Sequence, residues 1–148
     1  MSIRTLLVDD SPEFLRALQR LLSNDPEIQV VDLACSAQDA LEKVGQSRVD
    51  LVLMDIAMPG MNGLEATRRI KAQANAPHVL LLTLYDSKEY RAAAQEVCAD
   101  GFVSKLASDD ELLPLIHTIF APSPTTTSKG VPGKAMCGQV NRYEDETR

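Results

Sequence analysis

Short apolar runs alternate with amphipathic stretches from the N-terminus to about residue 120. Five runs read as strands: Ile3 to Val8, Ile28 to Leu33, Leu51 to Met54, His78 to Thr83, and Phe102 to Ser104. Leu51 to Met54 has no period of two, as expected of a strand buried on both faces of a parallel sheet. Between the runs, apolar residues recur at helical spacing. Phe14, Leu15, Leu18, Leu21 and Leu22 make one such face; Ala37, Ala40, Leu41 and Val44 make a second. Leu64, Thr67 and Ile70 point inward from a third helix expected to reach about Ala74. Tyr90, Ala93, Ala94 and Val97 share a fourth face, and Leu112, Leu113, Ile116, Ile119 and Phe120 a fifth.

The helix starts carry their own signals. Ser11 precedes Pro12, Ser36 precedes Asp39 by three, and Asn62 leads Gly63-Leu64-Glu65. Asp86-Ser87-Lys88-Glu89 and Ser108-Asp109-Asp110-Glu111 read as capping boxes for the last two helices. Five strand-then-helix units predict an α/β fold: a parallel five-stranded sheet with right-handed crossovers and helices on both faces. The flavodoxin-like (βα)5 three-layer sandwich, strand order 2-1-3-4-5, accommodates them. The predicted domain spans residues 1–120. Residues 121–148 hold Pro122, Pro124, Pro132, a threonine run and Gly130, Gly133 and Gly138, with few large apolar residues. Such a segment cannot bury enough surface to offset its ordering entropy, so a disordered tail is expected there. Gly133-Lys134 is not a phosphate-binding loop, because Ser128 and Ala135 replace required residues and no strand precedes them.

Composition narrows the function. Aromatic content is 4% with no Trp, which argues against a base-stacking platform. A net charge of −6 argues against direct binding to nucleic acid. No apolar run approaches the length of a membrane span, and no signal peptide is recognisable, so no membrane association is expected. Cys35, Cys98 and Cys137 fit neither a disulfide framework nor a metal motif, and a reduced, cytoplasmic protein is the expectation.

The chemistry gathers where the strands end. Ligands of open α/β sheets sit outside the carboxyl ends of the strands. The first strand delivers Asp9 and Asp10 there, the third Asp55, the fourth Thr83 and the fifth Lys105. In the 2-1-3-4-5 order these strands are neighbours. Taken singly, each residue has a plainer explanation: Asp9, Asp10 and Asp55 as loop or cap acids, Thr83 as the end of a strand, Lys105 as a surface charge. Their joint placement at four strand ends favours one site. Three carboxylates in one cleft repel one another, and one lysine does not balance them. A divalent, oxygen-seeking ion does, and Mg²⁺ suits best. Such a site is equipped for phosphoryl transfer to a carboxylate nucleophile.

Asp9-Asp10, Asp55 with Met58-Pro59-Gly60-Met61-Asn62-Gly63, Thr83 and Lys105 together resemble the response-regulator receiver family of two-component signalling, over about residues 3–120. The wording around Asn62 and Leu82-Thr83-Leu84-Tyr85-Asp86 is most similar to receivers of the NarL/FixJ type. The resemblance implies that Asp55 accepts a phosphoryl group from a histidine kinase or phosphotransfer protein. It implies Mg²⁺ held by Asp10, Asp55 and the backbone carbonyl of Ala57, with Asp9 nearby or acting through water, and Lys105 paired with the phosphate. Thr83 and Phe102 match a switch pair, so that the fourth helix, fifth strand and fifth helix would respond. It further implies a downstream output protein or output domain, and it leaves room for homodimerisation through the first and fifth helices.

Three departures stand out. Leu106 follows Lys105 where many receivers have proline, Phe102 replaces a common tyrosine, and Leu84 is bulkier than the usual small residue. Two readings of the whole chain follow. One is a phosphorylatable switch acting by protein contact; the other is the receiver part of a NarL/FixJ-type DNA-binding regulator without its helix-turn-helix domain. A phosphatase is disfavoured because Ala57 stands where its second acid would be, so no enzyme beyond self-phosphorylation and dephosphorylation at Asp55 is expected. A receiver bound constitutively to a partner is a weaker possibility. His78 and His117 are expected to be structural or on the surface, and Arg68, Arg69 and Lys71 to form a solvated face.

Overall fold

Residues 2–121 are described by the computed structural model. β1 (Ile3–Val8), β2 (Ile28–Ala34), β3 (Leu51–Asp55), β4 (His78–Thr83) and β5 (Gly101–Ser104) alternate with α1 (Pro12–Leu22), α2 (Ala37–Gln46), α3 (Gly63–Lys71), α4 (Lys88–Glu96) and α5 (Ser108–Phe120). All strand pairs are parallel, in the order β2-β1-β3-β4-β5. The flavodoxin-like architecture expected from the pattern is therefore the one observed.

Two apolar layers flank the sheet. Leu7, Leu51, Leu53, Leu80, Leu82 and Val103 pack with Leu15, Leu18 and Leu22 of α1 and Leu112 and Ile116 of α5. On the other face Leu6, Val8, Val52, Met54, Val79 and Leu81 pack with Ala37 and Ala40 of α2, Ala66 and Ile70 of α3, and Ala94 of α4. Every residue of β3 is buried, so its apolar run supplies side chains to both layers.

Three helix boundaries differ from expectation. α3 ends at Lys71 with Ala72 as its C-cap, and Asn75 soon adopts a left-handed φ of 57°, which turns the chain before Pro77. Ser87, not Asp86, caps α4, its Oγ accepting from the backbone N–H of Tyr90 at 3.1 Å. Ser108 caps nothing with its side chain. A 3-10 turn over Lys105–Ala107 leads into α5, and the Ser108 hydroxyl donates to the Lys105 carbonyl at 3.0 Å. The remaining caps stand where the sequence puts them: Ser11, Ser36 and Asn62 each accept from the backbone three residues on. Cys137 and the expected tail lie outside the described residues, apart from Ala121, which is the C-cap of α5.

Candidate functional site

A cleft of about 190 Å³ opens at the carboxyl ends of the strands, lined by Asp9, Asp10, Ser11, Asp55, Ala57, Leu84, Tyr85 and Lys105. Chain geometry accounts for each member. Asp9 follows β1, its backbone N–H donating to the Ala34 carbonyl at 3.1 Å, and its side chain is fully buried. Its Oδ1 accepts from the Ser11 backbone N–H at 2.8 Å, and Ser11 in turn caps α1. Asp55 is the last residue of β3 and is 3% exposed. Asp10 lies at the solvent side. One carboxylate oxygen from each of Asp9, Asp10 and Asp55 lies within 4.8 Å of the others.

Among the described residues, Lys105 is the sole lysine or arginine lining the cleft. Its Nζ lies 2.7 Å from Asp9 Oδ2 and 3.2 Å from Asp55 Oδ1, with the side chain only 10% exposed. The contact with Asp9 lacks hydrogen-bond alignment, so buried Asp9 Oδ2 has an opposite charge beside it but no aligned donor. Burial, reinforced by the charge of Asp9, raises the Asp55 carboxyl to about 6, against the opposing pull of Lys105. The carboxylates of Asp9, Asp10 and Asp55, with Asp9 Oδ2 buried and lacking an aligned donor, make an all-oxygen donor set that fits a hard divalent cation.

The other expected residues stand further back. Thr83 ends β4 opposite Ser104 of β5, but its Oγ1 accepts from the Tyr85 backbone N–H at 3.0 Å and does not line the cleft. Phe102 pairs with Leu81, packs half-buried on the α2–α4 side, and has the Arg91 guanidinium 4.8 Å from its ring centroid. No cis peptide follows Lys105.

The basic run on α3 divides. Arg68 and Arg69 pair with Glu65 in solvent, whereas Lys71 is largely buried against Asp100 at 2.8 Å and so is not part of a solvated face. His78 Nδ1 lies 3.1 Å from the same Asp100, whose carboxyl is held well below the usual range by His78 and Lys71 despite its burial. His117 of α5 bonds to Asp25 and lies 3.5 Å from Glu27, tying α5 to the turn before β2. Neither histidine reaches the cleft. Pairings across such distances in sequence leave no mark in local spacing.

Two residues at the site escape sequence reasoning. The ring of Phe14 sits over Lys105, its centroid 4.4 Å from Nζ, although its helical spacing marks it only as a core position. Gly63 packs directly against the backbone of Asp55, although its place beside Asn62 marks it only as a helix start.

A family model for the response regulator receiver domain matches residues 5–117. The response regulator UvrY of Escherichia coli is 34% identical over 119 residues, covering 80% of this chain and 55% of that protein. The transcriptional regulatory protein MctR of Rhizobium johnstonii is 34% identical over 143 residues, covering 97% of this chain and 66% of that protein. The chain thus spans about half the length of UvrY and two thirds that of MctR. Among solved structures, a LuxR-family two-component response regulator from Aurantimonas sp. superposes with a TM-score of 0.77 at 30% identity, covering 91% of this chain and 99% of that one. The receiver domain of NarL from Mycobacterium tuberculosis gives 0.75 at 27% identity, covering 80% and 95%. A 2-1-3-4-5 sheet with its acidic cleft at the strand ends agrees with these matches, and the chain belongs to the response regulator receiver family.

Proposed function

We propose that Asp55 accepts a phosphoryl group from the phosphohistidine of a kinase or phosphotransfer protein, and that this event changes a protein-binding surface. The observation that carries the proposal is the grouping of buried Asp55 with two further acids and one ammonium in a single cleft. A carboxylate oxygen of Asp55 attacks phosphorus, the P–N bond breaks, and the donor histidine, protonated on its other ring nitrogen, keeps that proton and leaves as neutral imidazole. Asp9, Asp10, Asp55 and the backbone carbonyl of Ala57 would hold Mg²⁺, which supplies charge neutralisation for the phosphoryl oxygens. Lys105 already lies 3.2 Å from Asp55 Oδ1 and pairs with a phosphoryl oxygen once the acyl phosphate forms. Thr83 gives up its Tyr85 contact to donate to another oxygen, and Phe102 turns inward behind it. The responding surface is α4, β5 and α5. In this reading residues 1–120 are the receiver unit, and it acts in the cytoplasm.

Intact mass after incubation with acetyl phosphate and Mg²⁺ tests this reading. The wild type gains one hydrolysable phosphoryl group and Asp55→Asn gains none. Absence of gain, also with a phosphorylated histidine kinase as donor, would remove Asp55 as acceptor.

A second reading concerns the output. UvrY and MctR both extend beyond the matched part, which favours a receiver that works within a longer transcriptional regulator. Phosphorylation would then promote self-association through α1 and α5. Light scattering on the phosphorylated chain checks this: a mass that stays monomeric at tens of micromolar favours a partner-binding switch instead.

A further inference from the structure

Lys105 carries its charge on a flexible four-carbon stem, yet its ammonium is nearly buried at one place in the cleft. Asp9 and Asp55 attract it from β1 and β3, at 2.7 and 3.2 Å. The approach from α1 is closed by the face of Phe14, with the ring centroid 4.4 Å from Nζ. A cation over a ring face at that distance is attracted by the ring quadrupole, more strongly where water is excluded. The ring is itself well anchored. The Phe14 backbone N–H donates to Ser11 Oγ at 3.2 Å, the Ser11 backbone N–H donates to Asp9 Oδ1 at 2.8 Å, and the side chain packs half-buried on the α1–α5 core. The turn that fixes Asp9 therefore also fixes the ring over Lys105.

We infer that Phe14 is a positioning residue for Lys105, its ring face holding the ammonium between Asp9 and Asp55. This rests on the reading of Asp55 as phosphoryl acceptor. A carboxylate or carbonyl in the place of the ring would accept a directed hydrogen bond from the ammonium. The ring attracts the charge without a localised acceptor, so the N–H groups remain available to a phosphoryl oxygen. Phe14 thus confines Lys105 without competing for it.

The experiment uses the full chain in three forms: wild type, Phe14→Leu, which keeps apolar bulk but removes the ring, and Phe14→Tyr, which keeps the ring. Two readouts are taken. One is the NMR signal of the Lys105 Hε protons, assigned by its loss in Lys105→Arg. The other is the rate of phosphoryl gain from acetyl phosphate at saturating Mg²⁺. Over a ring face these protons are shielded, so Phe14→Leu moves them downfield and slows phosphoryl gain about fivefold. Phe14→Tyr restores both. A Phe14→Leu protein whose Lys105 signals stay in place overturns the inference, as does a Phe14→Tyr protein as slow as Phe14→Leu. A wild type that takes no phosphoryl group from acetyl phosphate or from a phosphorylated histidine kinase removes the Asp55 reading instead, and the Lys105 signals then decide the contact alone.

Discussion

Gly63 lies so close to Asp55 that a Cβ on it would fall 2.1 Å from the Asp55 backbone oxygen and 2.9 Å from Cγ of Met54. The Gly63 N–H also donates to the Ile56 carbonyl at 2.9 Å, so the start of α3 and the end of β3 are held face to face. Gly63→Ala must push α3 away or displace Asp55. Overpacking of this kind costs about 1–3 kcal/mol. We expect a lowered melting temperature together with slower phosphoryl gain at Asp55. If the variant melts and reacts like the wild type, the contact is softer than its geometry implies.

The raised Asp55 carboxyl predicts a pH-dependent stability. Its ordinary value is 3.8, and in the fold it stands at about 6. Between those values Asp55 binds the proton more readily in the folded state than in the unfolded state, so its contribution to stability falls as pH rises through the window and levels off above it. Asp55→Asn removes that charge and leaves Lys105 its Asp9 partner at 2.7 Å. Its stability advantage should grow from about pH 4 to about pH 6, then stay constant at up to about 3 kcal/mol. Urea unfolding of both proteins without Mg²⁺ at pH 4.5, 6 and 8 measures this. An advantage independent of pH would show that burial of the ionised group is not what destabilises the wild type.

The strands were legible because β3 and β4 carry runs of Leu, Val and Met too apolar to lie anywhere but mid-sheet, while their order was only compatible with the five-strand pattern and is given by the structure. Asp9, Asp55 and Lys105 converge because strand ends converge, and that much follows from topology alone. Contacts that depend on side-chain direction were not legible. Phe14 and Leu18 have the same helical spacing, yet Leu18 enters the core and the ring of Phe14 leans over Lys105. Lys71 closes the basic stretch Arg68-Arg69-Ile70-Lys71, but its side of α3 faces Asp100, whereas Arg68 and Arg69 face solvent. Ser108 has the sequence of a cap, but the preceding 3-10 turn uses its hydroxyl instead.

Leu84 lines the cleft while remaining 53% exposed. It stands directly after Thr83, at the mouth through which water or a small donor reaches Asp55. Leu84→Ala should speed both phosphoryl gain from acetyl phosphate and later hydrolysis several-fold. Because half of the side chain is already in solvent, stability should change by no more than about 0.5–1 kcal/mol. Time courses of intact mass with and without donor test it, and unchanged hydrolysis would remove Leu84 as a gate.

Arg91 links the loop after β4 to the ring of Phe102. Its Nε and Nη2 donate to Asp86 Oδ1 and Oδ2 at 2.6 and 2.8 Å, while its guanidinium carbon lies 4.8 Å from the ring centroid. Asp86 is three residues beyond Thr83, on the segment that must move if the Thr83 hydroxyl leaves the Tyr85 N–H. Arg91 therefore favours the half-buried resting position of the ring while Asp86 stays where it is. In Arg91→Ala the resting ring loses that attraction, so the unphosphorylated protein should already sample the position the ring takes after phosphorylation. Asp86→Ala should do the same more weakly, since Arg91 loses its tether but keeps the ring. With 4-fluorophenylalanine at position 102, the fluorine resonance of each variant should move toward that of the phosphorylated wild type, further for Arg91→Ala. The Asp86 pair is exposed, so melting temperatures should barely change. A resonance identical to the resting wild type in both variants would mean that packing by the surrounding core residues, not Arg91, sets the position of the ring.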